Sequence, residues 1–121
     1  MKVALLLMRA QALKGHLDGM LLAALEDGPR HGYAVMEALR AGSDGQFDLP
    51  TGTIYPALRR LERAGLVHTQ WSEDGGRRRR MYELTPAGRR MLSEERNAWR
   101  EFSTAVTALL GPPPRPDPVT S

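Results

Sequence analysis

The stretch from Thr51 to Val67, TGTIYPALRRLERAGLV, writes two chemistries onto one helical repeat. Ile54, Leu58 and Leu61 recur at spacings of four and three, so they share one stripe of a helix. Gly52, Pro56, Arg59 and Arg63 recur in the same way on the opposite side, with Tyr55 and Arg60 flanking them. Gly65 is a stop signal, and an alternating apolar run begins directly after it. A short helix that is apolar beneath and basic above, leading into a strand, suits a helix that reads nucleic acid. An ordinary solvated helix, kept soluble by its Arg side chains, has the same pattern. The surrounding chain has to decide between them.

The charge is unevenly distributed. The whole chain of 121 residues carries a net +3. Between Leu58 and Arg90, nine Arg face four acidic residues (Glu62, Glu73, Asp74 and Glu83), a local net of +5. Such a footprint suits phosphate. At this length the chain holds one small domain, and a partner subunit is a natural source of further buried surface.

Several function classes find no anchor. There is no cysteine, which excludes a disulfide framework, a thiolate metal site and a Cys nucleophile. His16, His31 and His68 fall in separate segments without an H-x-x-x-H pair, so no metal is expected. No G-x-S-x-G, phosphate-binding Gly loop or spaced Ser/His/Asp set is present. Glu94 and Glu95 are adjacent and diverge on a helix, so they cannot act as a carboxylate pair. The expectation is a protein that is not an enzyme and takes no cofactor. Val3 to Met8 is too short an apolar run for a membrane span, and Arg9 interrupts it as a signal-peptide core. A cytoplasmic protein without membrane attachment is expected.

Read in order, residues 1–12 are an extension whose role stays open: either Met8 is the natural start, or an apolar helix here packs on a partner. Leu17, Met20, Leu21, Ala24 and Leu25 form the stripe of a first helix, ended by Asp27-Gly28-Pro29. Arg30-His31-Gly32-Tyr33 opens a second helix, with Val35, Met36 and Leu39 on its apolar side. For the third helix, Thr51 or Thr53 can supply a capping hydroxyl. Pro56 is cheap only in a first turn, which favours either Thr53 as the cap or a distorted start from Thr51. Leu66 to Trp71 alternates like a strand, Ser72 to Gly76 turns, and Arg77 to Leu84 returns, making a β-hairpin. Its four consecutive Arg, Arg77 to Arg80, cannot all share one face, because successive strand residues point to opposite sides.

Thr85-Pro86 starts the last helix, a capping Thr followed by Pro at the first helical position. Ala87, Met91, Ala98, Trp99, Phe102, Val106, Leu109 and Leu110 trace its apolar side. A helix over residues 86–110 is about 40 Å long, more than a three-helix core can cover. A second copy of the same helix is the simplest cover, with Met91, Ala98, Trp99, Phe102, Val106, Leu109 and Leu110 at the interface. Trp99 and Phe102 are either core contacts or, across such a dimer, the walls of an apolar slot for a planar ligand. Residues 111–121 read as a Pro-rich disordered tail.

The predicted fold is therefore mainly α with a small β-hairpin. It comprises a winged helix-turn-helix over residues 13–85 and one long C-terminal dimerisation helix over 86–110. In that fold the second helix braces the third, the third enters the major groove of double-stranded DNA, and the hairpin wing follows the phosphates. Arg59 and Arg63 are the candidates for base edges, since Arg bonds guanine bidentately. Thr51, Thr53, Tyr55 and Arg60 suit phosphate oxygens, Pro56 a thymine methyl, and Arg77, Arg78 and Arg79 phosphate or a narrow minor groove. A winged-helix module that binds an acidic protein surface is the alternative.

The chain resembles the PadR family of bacterial transcriptional regulators. The resemblance rests on Leu13-Lys14-Gly15 with Leu17, Gly28 to Tyr33, Gly52 to Glu62, Gly65-Leu66-Val67, and Arg77 to Tyr82 leading into Leu84-Thr85 and Gly88. These blocks extend in order over about three quarters of the chain. The resemblance implies a homodimer that usually represses transcription and is often relieved by a small phenolic, drug-like or other ligand. It places DNA contacts at His31 and Tyr33, at Thr53, Tyr55 and Arg59, and on the wing from Arg77 to Arg80. The single C-terminal helix matches the short form of the family. Some short members bind aromatic drugs between paired Trp residues on this helix, and Trp99 sits near that place. The N-terminal extension and the Pro-rich tail depart from the family's pattern.

Overall fold

The computed structural model describes residues 15–112. The expectations for residues 1–12 and for the tail beyond Pro112 lie outside them. Helix α1 covers 15–24 of the described chain, and the elements that follow are β1 (Arg30–His31), α2 (Gly32–Gly42), α3 (Thr51–Arg63), β2 (Val67–Asp74), β3 (Arg77–Leu84) and α4 (Pro86–Leu110).

The apolar stripes meet in one core. Leu17, Leu21, Leu22 and Leu25 come from α1 and the turn after it, Val35 and Leu39 from α2, and Ile54, Ala57, Leu58 and Leu61 from α3. Val67, Tyr82 and Leu84 of the sheet and Leu92 of α4 close it. Leu21, Leu22, Leu25, Ile54 and Leu58 expose no surface. Each such side chain contributes about 1.5–3 kcal/mol on burial. Because Ile54, Leu58 and Leu61 are locked underneath, the opposite face of α3 has one orientation, outward.

Four local expectations need correction. First, of the two starts left open for α3 the structure takes Thr51, and neither Thr51 nor Thr53 caps the helix. Pro50 is the cap residue, and its carbonyl accepts from the amides of Thr53 at 2.9 Å and Ile54 at 3.1 Å, with no capping side chain. Pro56 therefore lies inside the helix, on its exposed side, where water can serve the backbone carbonyl that loses its partner. Second, Arg30-His31 does not open α2. It pairs as a two-residue strand with β3, Arg30 opposite Tyr82 and His31 opposite Met81, so the hairpin is part of a three-stranded antiparallel sheet ordered β1-β3-β2. His31 then caps α2, its Nδ1 accepting from the Ala34 amide at 3.2 Å. Third, Leu22 and Leu92 belong to the core although neither lay on an expected stripe. Fourth, Met91 packs partly against the protomer's own core, so it is not wholly free for a partner.

The wing joins α4 through a tight corner. The Thr85 hydroxyl accepts from the Gly88 amide at 3.0 Å and donates to the Gly65 carbonyl at 2.6 Å, while the Thr85 amide donates to Leu66 at 3.1 Å. A Cβ on Gly88 would collide with the Leu66 carbonyl, so the corner tolerates only glycine there. Beyond it, α4 is tied to the end of the α1 segment by a two-bond Arg96–Glu26 pair at 2.6 and 2.8 Å. Towards its end the helix leaves Leu109 and Leu110 more than four-fifths exposed, at 85% and 82%. No described helix is long and apolar enough to cross a membrane.

Candidate nucleic-acid interface

The outer face of α3 carries Thr51, Gly52, Pro56, Arg59, Arg60 and Arg63, all exposed, with Thr53 and Tyr55 half-buried at its edge. Between this face and the wing lies a groove of about 710 Å³. The start of α2 lines it with His31, Gly32 and Tyr33, α3 with Tyr55 and Arg59, and the wing with Arg77, Arg79, Arg80 and Tyr82. No acidic side chain is among these residues. The groove brings together nine positions from three separated segments, seven of which the sequence had marked as DNA contacts.

The two others, Gly32 and Tyr82, shape the floor. The Tyr55 ring lies so close over Gly32 that a Cβ there would come within 2.5 Å of it, so Gly32 is what lets α3 dock against the start of α2. Tyr82 is 3% exposed, and burial pushes its phenol above the ordinary tyrosine range, so it stays neutral as a wall. The G-Y pair after His31 was visible in the sequence, but nothing there marked Gly32 as the seat of Tyr55.

The strand register divides the four wing arginines. Arg80 lies opposite Trp71 and Arg78 opposite Glu73, on the sheet face that carries Val67, Leu84 and Tyr82 into the core. Arg77 and Arg79 take the other face, beside His31. Each face has its own restraints. Arg78 stacks on Trp71, 4.6 Å from the ring centroid, and Arg80 pairs with Glu62 of α3 at 3.2 Å. Arg79 lies 2.7 Å from His31 Nε2. On α3, Arg60 forms an ion pair with Asp18 of α1. Arg59 and Arg63 have no ion-pair partner among the described residues. Asp18, Glu62 and Trp71 were not singled out from sequence, because their roles arise only from contacts between distant segments.

A second feature lies on α4. Trp99, Phe102 and His16 of α1 form a surface cluster, with His16 meeting Trp99 edge-on at 5.0 Å and the Trp99 and Phe102 rings 6.0 Å apart. Trp99 is 53% and Phe102 57% exposed, so neither is a core contact in this protomer. On the same helix Ala98 is exposed and Val106 half-buried. Trp99 also borders a groove of about 770 Å³ with Met20, Ala23, Phe47, Leu49 and Leu92. Among the described residues no cluster of His, Asp and Glu is arranged to hold a metal.

Three helices, an antiparallel sheet with a basic hairpin, and a long last helix define a winged helix-turn-helix protein. The chain belongs to the PadR-like family of transcriptional regulators, whose model matches residues 21–94. That family consists of regulators, not enzymes. A transcriptional regulator of Mycobacterium tuberculosis is 40% identical over 77 residues, covering 64% of this chain and 59% of that protein. A PadR family regulator structure from Eggerthella lenta superposes with a TM-score of 0.77 at 29% identity, covering 90% of this chain and 94% of that one. A PadR-like regulator structure from Bacillus cereus gives 0.75 at 29% identity, covering 85% and 99%.

Proposed function

We propose that this transcriptional regulator is a homodimeric, sequence-specific DNA-binding repressor acting in the cytoplasm. The observation that carries the reading is the groove of Arg59, Arg77, Arg79 and Tyr55 without an acidic lining residue. In this reading residues 13–85 form the DNA-binding domain and 86–110 the dimerisation helix. Arg59 and Arg63 reach base edges in the major groove, and Pro56 touches a thymine methyl. Thr51, Thr53, Tyr55 and the start of α2 at His31 and Tyr33 hold phosphates, as does Arg60 once it exchanges Asp18 for DNA. Arg77, Arg78 and Arg79 follow the backbone alongside.

The end of α4 pairs with its copy through Ala98, Trp99, Phe102, Val106, Leu109 and Leu110, with Met91 at the edge of the core. Two reading helices then address half-sites about 34 Å apart on a roughly palindromic operator. Trp99 and Phe102 supply flat apolar walls for a small aromatic effector that relieves repression.

Gel shift at several salt concentrations, on promoter DNA beside the protein's own gene, tests this. A discrete complex that survives competitor DNA at moderate salt is expected. Binding without sequence preference would instead favour the protein-interaction reading of the basic wing.

A further inference from the structure

The carboxylate of Glu62 sits on the reading helix but is engaged by both strands of the wing. Its Oε2 accepts from the Thr69 hydroxyl of β2 at 2.8 Å. The Arg80 guanidinium of β3 donates to the same oxygen at 3.2 Å and lies 3.4 Å from Oε1. Thr69 lies opposite Tyr82, and Arg80 opposite Trp71, so both partners occupy the sheet face turned toward α3. Glu62 is half-buried there, with Leu61 fully packed beside it. One side chain thus bridges the reading helix to both strands of the wing, above the shared core, and offsets one of the four wing charges.

We propose that Glu62 is a positioning residue that clamps the wing to the reading helix and withholds Arg80 from the DNA backbone. The proposal rests on the DNA-binding reading above. Its physical logic is a difference between two kinds of binding. Phosphate contacts supply nearly all of non-specific affinity, whereas specific affinity also needs base contacts held in register. Tying Arg80 down weakens binding to any duplex by one cation. It also keeps Arg77 and Arg79 at a set distance from Arg59, which favours the sequence whose bases Arg59 meets.

The test measures affinity of the full chain for a random-sequence duplex against salt concentration. Glu62→Gln keeps an oxygen for Thr69 but removes the charge that holds Arg80. It is expected to steepen the salt slope by about 0.9, the increment for one phosphate contact. Arg80→Ala alone should leave the wild-type slope in place, and Glu62→Gln in the Arg80→Ala background should add nothing. An unchanged slope in Glu62→Gln overturns the proposal. So does an equal steepening in both backgrounds, which would be a general charge effect. Should Glu62→Gln not fold, Arg80→Ala decides alone, because a slope flattened by about 0.9 would show Arg80 already on phosphate. If the wild type bound no duplex even at low salt, the DNA reading would fall. Elution from heparin, a sulfated polyanion, would still decide the clamp. Arg80-dependent later elution of Glu62→Gln supports it, and coincident elution overturns it.

Discussion

His31 faces two donors at once: Nδ1 accepts the Ala34 amide at 3.2 Å, and Nε2 lies 2.7 Å from the Arg79 guanidinium. A neutral imidazole has one acceptor nitrogen, so it serves the helix cap or Arg79, not both fully. The cap is local and fixed, which leaves Arg79 the more easily released member. His31→Ala should lower stability by about 1 kcal/mol through loss of the cap, while His31→Asn, a preferred cap residue, should restore most of it. Chemical denaturation of the two variants separates the roles. Equal losses would mean that the Arg79 contact, not the cap, holds this corner.

Arg59 stands in the groove with no ion-pair partner among the described residues, and its neighbours on the outer face are Pro56 and Arg63. Arg59→Ala should cost about 1–3 kcal/mol of binding to the operator and much less on random DNA. Parallel titrations of the two duplexes measure this. An equal loss on both would place Arg59 on phosphate.

Replacing Arg77, Arg78 and Arg79 with Ala should flatten the salt dependence by about 0.9 per phosphate contact removed. Arg78 gives the change a second signature, because its loss uncovers the Trp71 ring on which it stacks. In a Trp99→Phe background the remaining indole emission from Trp71 should therefore shift in the Arg78→Ala variant. A wing that stays off the DNA would show the emission change with an unaltered slope.

What the sequence made legible follows from range. Ile54, Leu58 and Leu61 are close neighbours on one helix, and their period alone predicts which side of α3 is buried. Thr85-Pro86 likewise marks the start of α4 by local chemistry. Leu22 escaped the stripe because α1 is covered on more than one side: Asp18 meets α3 while His16 and Glu26 meet α4. Strand β1 escaped because two residues have no alternation to read, and only β3 makes them a strand. In the candidate interface, Arg59 was legible from its spacing. The partners of Arg60 and Arg80 were not, since Asp18 and Glu62 lie 42 and 18 residues away and carry no local pattern. Gly88 was visible as a residue, but its need for no Cβ depends on the Leu66 carbonyl across the corner.

The Glu26–Arg96 pair makes the seating of α4 sensitive to acid. The hydrogen bond from Arg96 holds the Glu26 carboxyl below its ordinary range. A depressed native value means that the unfolded chain binds this proton more readily. The pair therefore contributes above the unfolded value and is lost as the pH falls through the native one. Both side chains are largely exposed, so the effect is small and screened by salt. Glu26→Gln should melt slightly below the wild type at neutral pH and low salt, with the gap closing in strong acid. A gap that persists in strong acid would assign the loss to something other than the ion pair.

Ending the chain after Arg96 tests the dimer interface proposed for the end of α4. The truncated protein keeps Leu92, the partly packed Met91 and the link to Glu26, which hold the helix to its own core. It loses Trp99, Phe102, Val106, Leu109 and Leu110, of which Trp99, Phe102, Leu109 and Leu110 are large apolar side chains more than half exposed in the protomer. An apolar stripe of this extent left in water is what association would cover. Sedimentation should therefore show folded monomers for the truncated chain and dimers for the full one. On the proposed dimer, two linked domains grip a palindromic site, so the monomer should bind one half-site with far lower affinity. A truncated chain that still sediments as a dimer would move the interface away from the end of α4, to a surface such as α1.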